Sequence, residues 1–534
     1  MKGLMSPHPL TLVHAFERAE RLFADKTLTT LTATGRERTT YGDWAARTRR
    51  LAGALDGLGL SADARVGTFA WNTARHLELY FAAPCSGRVL HTLNIRLFPE
   101  QVSYIVGHAE DEVIFVDRSL VGVLWPLVDG FSTVGRIVVM DDGAGDVPAD
   151  DRIVDYEELL AGAEPAEFSI DDEDRAAAMC YTSGTTGHPK GVVYSHRSTV
   201  LHCLGGMLAD TIGVSERDTI LPVVPMFHAN AWGLAHAAVM AGASLVMPGP
   251  QMTPAAIAGL IEDERVTVAA GVPTIWMGAL DELEGRDLSA LRTILCGGSA
   301  VPRALSEAYR ERIGMPILQA WGMTETSPIG AVCNLRSSLE GRTEDELAEV
   351  RSSQGVIAPL VDVRIVEPGT ADEQPWDGES RGELQVAGPW IAASYYRQEG
   401  PGESFTDDGW LRTGDVATIS ADGYIRLVDR TKDLVKSGGE WISSVELENE
   451  IMAHPAVREA AVIGVPDEKW GERPLACVVP EDGEVVDAAI LRDFLSDRVA
   501  RWWIPERVEI IDEVPKTSVG KFSKKTLRER FGAA

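Results

Sequence analysis

Lysine is scarce in this chain. Ten of its fifty basic residues are lysines, set against eighty acids, and the net charge is −30. Such a balance leaves no broad basic face, which argues against general binding of nucleic acid or of an anionic membrane. Any polyanion must be met by local devices: backbone N–H groups, single lysines or a metal ion. Four of the lysines (Lys190, Lys432, Lys436 and Lys521) sit beside glycines or in dense polar motifs. Cysteine is also sparse. The six cysteines form no CxxC pair and lie mostly in apolar surroundings, which predicts buried free thiols in a reducing, cytoplasmic compartment. No HExxH occurs, and no Ser-His-Asp pattern supports a hydrolase. Long apolar runs are missing too. The one candidate, 229–249, is rich in Ala and Gly and is interrupted by Asn230, His236 and Ser244; it predicts a buried helix and then a short strand "SLVM", not a transmembrane segment. "MKGLMSPHPL" has no apolar core of a signal peptide. No repeat of fixed period is present.

What is present suits a large globular protein. The chain has 534 residues, of which 45% are hydrophobic and 24% charged. Short β-branched runs ("ARVGTFAW", "VIFVD", "RIVVMD") alternate with amphipathic patterns at 11–23, with Thr11 as N-cap, and at 40–59, closed by glycine. This alternation predicts α/β layers with largely parallel sheets. Near residue 430 the pattern changes. A charged, glycine-containing stretch is followed by a tail reading helix (445–453), strand (460–465), strand (475–480) and helix (487–500), enough for a small α+β domain.

"YTSGTTGHPKGVVYSH" (181–196) is the most informative stretch. "AAAMCYT" before it and "GVVYS" after it read as buried strands, and a helix begins after Ser195. The glycine loop thus joins two strands. It does not match GxxxxGK[ST] with a helix directly behind it, so it is no P-loop of that type. Its chemistry still suits phosphate: glycines let N–H groups point inward, hydroxyls donate, and one lysine neutralises charge.

"YTSGTTGHPKG" resembles the signature of the adenylate-forming superfamily. "QAWGMTE" (319–325), "GWLRTGD" (409–415), "DRTKDLVKSGGEWIS" (429–443) and "PKTSVGK" (515–521) follow in that family's order and spacing. "PMFHANAW" (225–232) and "KSGGEWIS" (436–443) are most similar to bacterial medium- and long-chain fatty acyl-CoA synthetases. The resemblance implies a large multi-layer N-terminal α/β domain with a small β-barrel part (1–429), a hinge (430–433) and a small mobile α+β C-terminal domain (434–534). It further implies a homodimer that consumes a carboxylic acid, ATP with Mg²⁺, and CoA, through an acyl-adenylate.

Residue by residue, the resemblance gives Thr182, Ser183, Gly184, Thr185, Thr186, Gly187 and Lys190 to the β- and γ-phosphates, and Thr182 and Glu325 to Mg²⁺. Thr324 would donate to the α-phosphate. Trp321, where the family more often has Tyr, would stack on adenine in a pocket lined by Gly298, Gln319 and Ala320. Asp415 and Arg430 would hold the ribose. Lys521 would approach the carboxylate and the α-phosphate in the first step, and Lys432 would be the hinge. Lys436, Gly438, Gly439, Glu440 and Trp441 would border the nucleotide and the pantetheine tunnel. His228 would lie by the carboxylate, Ala229 beside it is a cofactor-binding candidate, and Trp232 would gate the acyl tunnel. Ser394 in "AASYY" replaces the usual glycine, so a turn needing positive φ would differ here.

The small residues of "GLAHA" and "CGGSAVP" suit an open tunnel for an alkyl chain. A short-chain or methylthiopropionate-type acid, and an adenylating enzyme that loads a carrier protein, are the alternatives. A nucleotide-binding sensor is disfavoured by the presence of both Lys521 and Glu325.

Overall fold

The β-branched runs of the first half become strands buried on both faces. In the computed structural model, which describes residues 1, 3–182, 188–438, 440–515 and 522–532, the chain divides into two compact units. The first holds Met1–Thr182, Lys190–Asp362 and Ala387–Gly402; the second holds Val363–Val386 and the residues from Glu403 onward.

The first unit is built on two sheets. One has the order Ile153–Asp155, Arg136–Met140, Asp111–Asp117, Arg65–Phe69, Val89–Thr92, Ala176–Tyr181, Gly191–Ser195. Its pairs are parallel except the last, where Tyr181 faces Gly191 in antiparallel register. The glycine loop therefore leaves and re-enters neighbouring strands, as its flanks predict. Behind it, Ser195 caps the helix His196–Met207: Ser195 Oγ accepts from Ser198 N at 3.0 Å, and Ser198 Oγ accepts from Ser195 N at 3.0 Å. The second sheet runs in parallel through Leu318–Trp321, Thr293–Cys296, Val268–Gly271, Thr219–Pro222, Ser244–Met247 and Thr27–Thr32. Parallel strands need both faces covered, and helices such as Pro254–Asp263 and Pro273–Leu283 supply the cover through Ile257, Ile261, Trp276 and Leu283.

The helix expected over 11–23 forms as Leu12–Leu22, burying Leu12, Phe16 and Ala19, although the Thr11 side chain makes no cap bond. The helix expected over 40–59 forms as Tyr41–Gly57, with Thr40 Oγ1 accepting from Asp43 N at 3.2 Å.

The 229–249 stretch departs from expectation. Its right-handed helix covers only Leu234–Ala241, before the strand Ser244–Met247. Ahead of it, Ala229, Asn230, Ala231 and Trp232 all have positive φ, between 42° and 57°. A left-handed turn costs roughly 1–2 kcal/mol per non-glycine residue, so tertiary contacts must hold it. Asn230 Oδ1 lies 3.5 Å from Thr92 Oγ1 and 3.3 Å from Cys180 Sγ, all buried. At Gly233, φ 71°, a Cβ would fall 2.4 Å from the His202 ring.

The second unit carries an antiparallel part with Gly382–Ala387, Leu411–Ile419 and Tyr424–Arg430 as neighbours. Its α+β tail pairs the long strands Val457–Asp467 and Gly471–Pro480, with Arg507–Ile510 alongside and the helices Ser444–Met452, Ala488–Leu495 and Lys524–Phe531. The helix expected over 487–500 stops at Leu495. There Ser496 turns its hydroxyl onto the Asp493 carbonyl at 2.7 Å, a local bond that competes with helix continuation.

Several histidines are buried and neutral. His236 packs on the Tyr80 and Phe81 rings at 4.9 and 5.5 Å, and burial lowers its pKa to about 3. Burial also lowers His202 to about 3 and His196 to about 4. In the unfolded chain such a group takes up a proton below about pH 6.5, while the folded protein does not. Its contribution to stability is thus present above pH 6.5 and is lost as pH falls towards 3. The variant His236→Leu should remove this dependence. Between pH 7 and pH 5 the parent should lose about 2 kcal/mol more stability than the variant, read from urea unfolding midpoints. Equal losses in both proteins would refute it.

Candidate active site

The first unit gathers most of the residues expected to bind nucleotide and acid. The mouth of the glycine loop is closed by two bonds. Thr182 N donates to the Lys190 carbonyl at 2.9 Å, and Lys190 N donates to Thr182 Oγ1 at 3.1 Å. Ser183, Gly184, Thr185, Thr186 and Gly187 lie outside the described residues.

The strand Leu318–Trp321 delivers the second motif. Gly322 follows it, and the short helical turn Thr324–Thr326 places Thr324 and Glu325 in buried positions. The turn is tied by Met323 N donating to Thr326 Oγ1 at 3.0 Å. Two tyrosines hold it from outside. Tyr194, on the strand leaving the glycine loop, donates to the Thr324 carbonyl at 2.8 Å; burial raises its pKa well above the ordinary tyrosine value, so it stays a donor. Tyr395 donates to Glu325 Oε1 at 2.6 Å. Neither tyrosine was singled out by the sequence, although "AASYY" lies beside the Ser394 departure. Ser394 itself is not in the left-handed region; Arg397 is, with φ 58°.

Glu325 is 5% exposed, and among the described residues no Lys or Arg forms an ion pair with it. A buried carboxylate calls for a compensating charge. An oxygen-only group with one oxygen held by a neutral donor fits Mg²⁺, which favours hard oxygens and keeps waters and substrate phosphates as its other ligands.

The residues expected at the adenine and the acyl chain lie on neighbouring segments. Gln319 is buried and accepts from Val301 N through Oε1 at 3.2 Å, fixing the 297–301 loop. At Gly297 a Cβ would lie 2.8 Å from the Ala320 carbonyl and 3.3 Å from the Trp232 ring; at Gly298, φ 82°, it would lie 3.8 Å from that ring. Trp232 thus packs over the glycine pair beside Ala320. Trp321 is buried, with Gly330 so close that a Cβ would meet its ring at 2.4 Å. His228 is half-buried and enters the left-handed turn, its carbonyl accepting from Ala231 N at 3.2 Å, with Ala229 next in line.

The second unit carries the remainder. Asp415 and Arg430 face each other across an antiparallel pair, with Arg430 Nε 2.8 Å from Asp415 Oδ1. The Lys432 side chain is exposed, yet desolvation by the groups around it lowers its pKa, with nearby Asp433 opposing the shift. Its carbonyl accepts from Arg528 at 3.1 Å. The Lys436 ammonium sits 4.9 Å from the Trp441 ring centroid. Gly438, φ 62°, donates to the Trp470 carbonyl at 2.7 Å, and a Cβ there would meet the Trp470 ring at 2.8 Å. Glu440 lies on the strand Glu440–Ile442. Gly439 and Lys521 fall outside the described residues.

Known proteins match this chain along its length. A family model described as AMP-binding enzyme matches residues 16–396, and one described as AMP-binding enzyme C-terminal domain matches 446–521. A long-chain-fatty-acid–CoA ligase of Thermus thermophilus is 44% identical, over 99% of this chain and 96% of its own. A 3-methylmercaptopropionyl-CoA ligase of Ruegeria pomeroyi is 43% identical over 99% of both chains. A medium-chain-fatty-acid–CoA ligase of Ectopseudomonas oleovorans is 40% identical over 100% of this chain and 98% of its own. Among solved structures, ATP-bound MatB of Rhodopseudomonas palustris superposes with a TM-score of 0.83 at 28% identity, over 98% of this chain and 99% of that one. With both family models matched in order, and with relatives aligned end to end, the chain belongs to the AMP-binding enzyme family.

Proposed function

We propose that this protein is an acid–thiol ligase that joins a medium- or long-chain fatty acid to CoA, consuming ATP and releasing AMP and pyrophosphate. The observation that carries the reading is end-to-end identity of 40–44% to ligases named for those acids. The buried Glu325, the closed mouth of the glycine loop and the Trp232–glycine packing support it.

In the first step the fatty carboxylate attacks the α-phosphorus of ATP, and pyrophosphate leaves. Two anions must meet, so positioned donors and cations dominate the catalysis. Lys190 and the loop N–H groups would hold the β- and γ-phosphates. Thr324 would donate to the α-phosphate, and Lys521 would bridge the carboxylate and that phosphate. Thr182 and Glu325 would hold Mg²⁺, which supplies charge neutralisation when bound. Trp321, Gly298, Gln319 and Ala320 would take the adenine, and Asp415 with Arg430 the ribose. His228 would face the carboxylate, with Ala229 beside it among the cofactor-binding residues and Trp232 at the acyl chain. In the second step the CoA thiol displaces AMP, with Lys436, Gly438, Gly439, Glu440 and Trp441 beside the nucleotide and pantetheine. A turn at 430–433, through Lys432, would separate 1–429 from the mobile 434–534. A homodimer in the cytoplasm completes the proposal.

A methylthiopropionate-type acid is the second reading, favoured by the 42–43% identity to two 3-methylmercaptopropionyl-CoA ligases. Pyrophosphate release with ATP, Mg²⁺ and acids from C2 to C18, with methylthiopropionate and benzoate included, each with and without CoA, separates the two. A maximum at medium or long chains with CoA-dependent turnover supports the fatty acid. A maximum at methylthiopropionate moves the substrate. Turnover without CoA points to carrier loading, and no acid-dependent pyrophosphate refutes the ligase.

A further inference from the structure

Two motifs of the first unit, separated by more than a hundred residues, meet on one side chain. Tyr395 is 7% exposed. Its hydroxyl donates to Glu325 Oε1 at 2.6 Å, and the Lys190 ammonium lies 4.5 Å from its ring centroid. The segment around it is pinned to both motifs. Ala392 N donates to the Glu325 carbonyl at 2.8 Å, and Tyr396 N donates to the Gly191 carbonyl at 2.8 Å. Ser327 Oγ donates to the Trp390 carbonyl at 2.7 Å. Gly191 keeps the approach open, since a Cβ there would sit 3.1 Å from the Tyr181 ring and 3.1 Å from the Tyr396 Cβ. The stretch 390–396 is thus a strap joining the exit of the glycine loop to the Thr324–Thr326 turn.

The terminal torsion of a glutamate is broad. A carboxylate with no cation beside it is therefore set by its hydrogen bonds. Here one phenol donor fixes one oxygen, and among the described residues no side chain bonds the other. The face of the same ring attracts an ammonium group. We propose that Tyr395 is the positioning residue of the ATP site: its hydroxyl orients the Glu325 carboxylate, and its ring orients the Lys190 ammonium, before nucleotide and metal arrive. The inference rests on the adenylating reading above. It predicts that the two halves of Tyr395 do separable work, the hydroxyl towards the metal and the ring towards the phosphates.

The test is calorimetric titration of ATP into the full-length protein, once with Mg²⁺ and once with EDTA. Tyr395→Phe keeps the ring and loses the hydroxyl. It should weaken ATP binding in Mg²⁺ by about 10- to 100-fold, as expected for a lost bond to a charged group, and leave binding in EDTA within about twofold of the parent. Tyr395→Leu should lose a further factor of roughly 2 to 30 in both conditions, because the cation–π contact goes as well. On a Glu325→Gln background, Tyr395→Phe should add no further loss, since residues acting through one another do not add. Tyr396→Phe serves as the neighbouring control and should bind as the parent does.

Three results would overturn the proposal: Tyr395→Phe binding Mg²⁺-ATP like the parent, equal losses with and without Mg²⁺, or losses that add to those of Glu325→Gln. A parent that binds no ATP would overturn the adenylating reading and this inference with it, a result distinct from the other three. Thermal unfolding of each variant accompanies the titrations. If Tyr395→Leu does not fold, Tyr395→Phe, which deletes one oxygen atom, carries the test.

Discussion

Lys521→Ala should lower acid-dependent pyrophosphate release by about 10²–10³-fold, the cost of one lost transition-state donor. It should leave the transfer of a premade acyl-adenylate to CoA close to the parent rate. Charge is the reason. Step one brings a carboxylate against a triphosphate, and a lysine bridging both neutralises repulsion where the new bond forms. Step two has a thiol attacking an acyl-adenylate and needs no such bridge.

Nearby lysines are poor substitutes. Lys524 is partly buried, 2.7 Å from Glu448 Oε1 and 2.6 Å from Ser444 Oγ. Burial raises the Glu448 pKa to about 7, with Lys524 opposing that shift. Lys524 is thus committed to holding the helix Lys524–Phe531 against Ser444–Met452. Lys525 is exposed and loosely paired with Glu529 at 3.9 Å, an arrangement worth little, so Lys525→Ala should be silent. Single-turnover assays of the two half-reactions check the split. A Lys521→Ala protein that keeps a tenth or more of the adenylation rate would remove this residue from the mechanism.

What the sequence made legible was local. The alternation of "ARVGTFAW", "VIFVD" and "RIVVMD" with amphipathic stretches gave parallel layers. The Ser195 cap fixed where the glycine loop's second strand ends. The family motifs named the candidate site residues, because short ordered signatures survive without any knowledge of packing. What was not legible depends on contacts between distant residues. Ala-rich 229–232 reads as helix by propensity, yet its backbone is left-handed because Asn230 is bonded to Thr92 and Cys180 on separate strands. Tyr395 looks like any aromatic in a loop until the fold sets its hydroxyl on Glu325, seventy positions away. Gly438 looks like a flexible turn until Trp470 packs on it. In each case a tertiary partner overrides or exploits a local preference, which no windowed reading of the chain contains.

Gly322→Ala should do severe damage for a reason visible in one distance. A Cβ on Gly322 would lie 1.5 Å from the Pro328 carbonyl oxygen and 3.0 Å from Thr326 Oγ1. A flexible side chain could move aside, but a carbonyl in a tied turn cannot. Thr326 Oγ1 already donates to that same Pro328 oxygen at 2.5 Å and accepts from Met323 N at 3.0 Å. The added methyl group must therefore push the 323–328 turn outward, carrying Thr324 and Glu325 with it. Displacement of reacting groups by about 1 Å costs roughly 10²-fold in rate, and the overpacking itself costs about 1–3 kcal/mol. The matched control is Gly259→Ala, inside the helix Pro254–Asp263, where a Cβ meets nothing within 4 Å. There the same change should stabilise the protein by about 0.5–1 kcal/mol with unchanged kcat/KM. Steady-state kinetics and urea midpoints on the pair decide the matter. If Gly322→Ala kept parental activity, the turn would be free to shift, and its tight bonding would not be what places Glu325.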